Sequence, residues 1–72
     1  MECIINFSWD AEARVWIAMS DDVPGLVLES GSYDALVERV RLAAPELLEL
    51  NKNYTGPVTL FFTTEQFERM AL

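Results

Sequence analysis

The residues that could do chemistry in this 72-residue chain are carboxylates: Asp10, Asp21, Asp22 and Glu29 lie within twenty positions of one another. Carboxylates that converge on two divalent cations support phosphoryl-transfer and nuclease chemistry. The adjacent pair in Ser20-Asp21-Asp22-Val23-Pro24-Gly25-Leu26 invites that reading. Asp10 and the pair fall in turns, however, and successive residues of an extended segment point in opposite directions. Nothing in the spacing forces the four groups together. Asp at strand ends equally bonds nearby backbone amides. The chain has no His and one cysteine, Cys3. A Cys-His or Ser-His nucleophile system therefore cannot be built, and a zinc site is not expected. Cys3, Tyr33 and Tyr54 read as packing residues. The expectation is a non-enzymatic domain with no catalytic residue, cofactor or metal.

The elements that would position these groups follow from periodicity. Residues 2–9 alternate, with Cys3, Ile5, Phe7 and Trp9 on one side and Ile4, Asn6 and Ser8 on the other, a strand signal. A polar turn at 10–13 leads to a second alternating run at 14–20, which places Val15, Ile17 and Met19 opposite Trp16 and Ala18. Val23-Pro24-Gly25-Leu26 carries Pro and Gly where a type II turn needs them, and 25–30 reads as a third strand. Ser32 is a good N-cap and Asp34 suits the positive end of a helix dipole. Tyr33, Leu36, Val37, Val40, Ala44, Leu47 and Leu48 recur at helical spacing. Pro45 predicts a kink or a restart. Residues 51–56 read as loop and 57–63 as a last strand. Thr64 is a candidate cap for a short terminal helix.

The order predicts an α+β fold, β-β-β-α-β, over one domain, 1–72. Its mixed four-stranded sheet, in order 3-2-1-4, carries one helix, kinked near Pro45, on one face. The helix is the crossover that returns the last strand parallel to the first.

Composition bounds the function. Twelve acidic and five basic residues give a net charge of -7, and 51% of residues are hydrophobic. Nucleic-acid binding needs clustered Lys and Arg; here Arg14, Arg39, Arg41, Lys52 and Arg69 are dispersed, which argues against DNA, RNA or an anionic membrane as partner. A basic protein is electrostatically suited. The first apolar run is broken by Asn6 and Ser8, unlike a secretory signal. No segment reaches the roughly 20 apolar residues of a membrane span, and a cytoplasmic address is expected.

A first strand ending in an aromatic, a short acidic turn and then VWIAMSDDVPGLVLESGSYDALVERVRLAAPELLEL together resemble the N-terminal domains of HicB-like antitoxins. They most closely resemble a small bacterial family grouped with them, whose members carry similar W-x-A-x-S-D-D-(V/I)-P-G-L and V-P-E-L-L-E-L blocks. The resemblance implies a partly degraded RNase H-like fold without its active site. It also implies a partner: a small basic RNA-cleaving toxin, HicA-like, which such domains silence. No separate DNA-binding part is expected within residues 1–72.

One helix covers one sheet face. Ile4, Trp16, Val27 and Phe61 are expected on the other, forming with Asp21 and Asp22 a surface for that partner or for a second copy. Phe67, Met70 and Leu72 are an alternative cover for it. The edge strands 25–30 and 57–63 offer a second route to self-association. An orphan homo-oligomeric domain and, less favoured, a metal-dependent nuclease are the competing functions.

Overall fold

The computed structural model describes residues 1–65. β1 (Glu2–Asp10), β2 (Val15–Met19), β3 (Val27–Ser30), α1 (Tyr33–Lys52) and β4 (Thr59–Glu65) follow in that order. The sheet runs β3-β2-β1-β4. β1 pairs antiparallel with β2 and parallel with β4, and β2 pairs antiparallel with β3. This is the α+β arrangement that the alternation and the helical crossover predict.

The core is built by the alternating side chains of β1 and one stripe of α1. Cys3, Ile5 and Phe7 have no exposed surface, nor have Leu36, Val40, Ala44 and Leu48 at helical spacing above them. Ser32 caps the helix, its Oγ accepting from Ala35 N at 3.3 Å. The left-handed Asn53 (φ 51°) closes it. The helix passes through Pro45 as one 20-residue element with no restart. Pro45 lies on its solvent side, where ring and lost N–H disturb no packing. Asn51 and Lys52, expected in a loop, belong to its last turn.

Three further expectations are corrected. Trp16 lies on the helix-facing side of the sheet. The register sets Trp16 opposite Trp9 and Ala18 opposite Phe7, so the helix-facing residues of β2 are Trp16 and Ala18. Val15, Ile17 and Met19 face the other way. The reason is an aromatic row along the core face: Trp9–Trp16, Trp16–Tyr33, Tyr33–Phe7 and Phe7–Phe62, with ring centroids 5.0–5.4 Å apart. Such tilted and edge-on pairs add to the gain from burial. Second, the third strand starts at Val27, because Gly25 and Leu26 still belong to the turn. Third, β4 continues through Thr64 and Glu65, so Thr64 does not cap a helix. The remainder of the expected terminal helix, and the cover by Phe67, Met70 and Leu72, fall outside the described residues. Among the described residues no helix is long and apolar enough to cross a membrane.

Candidate functional site: the helix-free face of the sheet

The Asp21-Asp22 stretch answers a local need of the sheet. β2 ends at Met19, opposite Asn6, so the next β1 residue facing that edge, Ile4, has no strand beside it. Asp22 Oδ2 accepts from Ile4 N at 2.8 Å, and Ser20 Oγ donates to Ile4 O at 2.6 Å. The same Ser20 Oγ accepts from Asp22 N. Two side chains thus continue the ladder where the backbone leaves it. The turn that follows is a plug. Leu26 N donates to Val23 O at 3.1 Å, and Gly25 sits at φ +87°, as type II geometry requires. Val23 and Leu26 enter the core, and Asn51 Nδ2 ties Pro24 O to the end of α1 at 2.9 Å.

The carboxylates do not converge. Asp10 Oδ1 accepts from Glu12 N and Ala13 N in the β1–β2 turn, Asp22 serves Ile4, Asp21 is exposed, and Glu29 lies on β3. Among the described residues no three His, Cys, Asp or Glu side chains group as a metal would require. Replacing Asp22 by Ala leaves a main-chain donor unmet, and we expect a loss of about 1–2 kcal/mol. Asp22→Asn, which keeps an acceptor, restores most of it. Urea denaturation of the two variants measures both; equal losses would assign the effect to charge rather than to the hydrogen bond.

Cys3 has no exposed surface. Burial pushes its thiol pKa up, with the Asp22 carboxylate acting in the same direction and Lys52 and the terminal amine opposing. A raised folded value means that this contribution to stability is complete below the ordinary thiol range, about 8.5, and is lost as pH rises through the folded value. Iodoacetamide at pH 8 should therefore modify Cys3 slowly in buffer and rapidly in urea, as read by mass spectrometry. Equal rates would place the thiol at the surface.

On the helix-free face the register aligns Phe61 with Ile4, Asn6 with Met19, and Met19 with Val27. An apolar band therefore crosses all four strands: Phe61, Ile4, Met19 and Val27 are 47%, 49%, 51% and 63% exposed. Ile4, Val27 and Phe61 stand where the alternation expects them. Met19 is the member that sequence reasoning misses, because the apolar count on β2 turns Val15, Ile17 and Met19 inward; its place in line with Val27 is the signal that could have found it. One shallow groove is lined by Glu2, Ile4, Asp22, Phe61 and Thr63, and another by Asn6, Ser8, Met19, Asp21, Val27 and Glu65, among others. Glu29 extends this acidic margin beside Val27. None of the described strand positions on the face is Lys or Arg. The arrangement is a greasy strip with an acidic border, a surface suited to binding.

The comparisons agree with this fold. A search of curated proteins finds no match. A crystal structure of a hypothetical protein from the extremely thermophilic bacterium Thermus thermophilus is similar, with 36% identity, a TM-score of 0.76 and full coverage of both chains. Over residues 2–72 the sequence matches a family model described as a domain of unknown function, and the chain therefore belongs to that family, DUF1902.

Proposed function

We propose that this domain is a protein-binding module, an antitoxin or antitoxin-derived domain of the HicB-like kind, and that its helix-free sheet face blocks a small basic RNA-cleaving toxin. The observation that carries the reading is the apolar band Phe61-Ile4-Met19-Val27 bordered by Glu2, Asp21, Asp22, Glu29 and Glu65. An RNA-cleaving protein must present positive charge to phosphates. An acidic border is steered toward that charge, while the desolvated band supplies affinity. The same border argues against two copies stacking through this face, since like charges would meet around the whole margin.

The test uses a small basic protein encoded beside this chain. Purified together, the two should run as a complex of fixed stoichiometry by light scattering. Adding the chain should stop the partner's cleavage of a fluorescent RNA, and the complex should weaken as salt rises. Cleavage that continues unchanged under excess chain would overturn the toxin-blocking reading.

A further inference from the structure

We propose that the outer edge of β4 is a homodimer interface, at which two copies pair antiparallel about a two-fold axis through Phe62 to form one eight-stranded sheet.

The orientation of the strand's polar groups leads to this register. Thr59 N donates to Met1 O at 2.8 Å, so Thr59 faces β1. Main-chain groups of successive strand residues point to alternate edges. Phe61, Thr63 and Glu65 therefore also face β1, while the N–H and C=O of Leu60, Phe62 and Thr64 point outward. Among the described residues nothing pairs with them. Three outward residues centred on Phe62 are self-complementary. With Phe62 opposite its own copy, Leu60 meets the copy's Thr64 and Thr64 meets its Leu60. Each pair exchanges both bonds, as directly opposed hydrogen-bonded residues of an antiparallel ladder do.

Charge selects the occupant. Two chains of net charge -7 repel over most of their surfaces, yet residues 59–64 carry no charge at all. Glu65 is the single ionised group on the strand. In this register it lies opposite the copy's Thr59, and the two Glu65 side chains are about six residues, roughly 20 Å, apart. That is more than twice the screening length of about 8 Å at physiological salt. Among the described residues, this edge lets an acidic chain meet its copy without a like-charge contact.

Packing points the same way. Phe62 lies on the helix-facing side of the sheet, against Phe7 at 5.3 Å, yet it is 37% exposed. α1 runs closer to β2 and β3 than to β4. Across the two-fold axis each Phe62 gains the other as its direct neighbour. The opposite edge of the sheet is unlike this one. β3 is four residues long and carries Glu29, whose carbonyl is already occupied by Arg39 Nη1 at 2.9 Å. Long, uncharged and unguarded edges are the ones that pair.

The test is the mass of the full chain in solution by light scattering and sedimentation over a range of concentrations. The expected mass is twice 8.2 kDa. Thr64→Pro removes an outward N–H and leaves the bonds to β1 in place; it should return the mass to 8.2 kDa with an unchanged circular dichroism spectrum. Phe62→Lys should do the same by charge, and Met19→Lys on the helix-free face should leave the dimer intact. A monomer at all concentrations overturns the proposal. So does a dimer that survives both edge substitutions, or one that Met19→Lys dissociates. The toxin-blocking reading rests on the sheet face and stands or falls separately.

Discussion

Trp16→Ala should unfold much of this domain at temperatures where the native chain is stable. The indole packs between Trp9 at 5.4 Å and Tyr33 at 5.2 Å, linking the sheet to the first turn of α1. Truncating such a side chain removes its burial and two aromatic pairs, and Trp→Ala changes in cores cost about 3–5 kcal/mol. Trp16 is partly exposed, so the lower end, about 3 kcal/mol, applies here. A domain of 72 residues has about 4–11 kcal/mol in all. The expected fall in Tm is roughly 12–24 °C. Met19→Ala, three residues on and facing the other way, should change stability by no more than about 0.5 kcal/mol. Thermal melts of the two variants decide between the faces. A Trp16→Ala chain as stable as the parent would return the indole to the open surface, where counting the strand's apolar residues would put it.

The misplacement of Trp16 shows where the sequence is ambiguous. A period of two says that Trp16 and Ala18 share a face, but not which face of β2 turns toward the helix. Counting apolar residues favours Val15, Ile17 and Met19. The four-residue turn and the pairing of Trp9 with Trp16 set it the other way, and the preference comes from Tyr33, far along the chain. β1 had no such ambiguity, since Cys3, Ile5 and Phe7 alternate with Asn6 and Ser8, and its inward face was readable at once. The helix was equally legible, from Ser32 at its cap to Leu48 in its last buried turn. Pro45 leaves a restart open in the sequence, and only the single element from Tyr33 to Lys52 decides against one. The local role of Asp22 was legible as turn chemistry. Its particular partner, Ile4 N, eighteen residues away, could be found only once the strands were paired.

Charge on the helix-free face should control partner binding without touching the fold. Ile4→Lys together with Met19→Lys places two ammonium groups in the middle of the apolar band, each on a side chain about half exposed. Exposed substitutions of this kind alter stability by about 0.5 kcal/mol or less each, and positive charge among so many carboxylates relieves repulsion. The Tm should therefore stay within a few degrees of the parent. Binding to a basic partner should behave differently. The two changes remove apolar anchors from the centre of the contact and set like charge against the partner. Central anchors are worth about 2 kcal/mol or more each, so losing two should raise Kd by roughly a thousandfold. Adding salt should recover part of the loss, because screening weakens the new repulsion. Titration calorimetry at two salt concentrations, beside a melt of the same variant, separates the two quantities. A variant that binds as tightly as the parent would move the contact off this face, whereas one that neither binds nor melts cooperatively would mean that Ile4 and Met19 support the sheet itself.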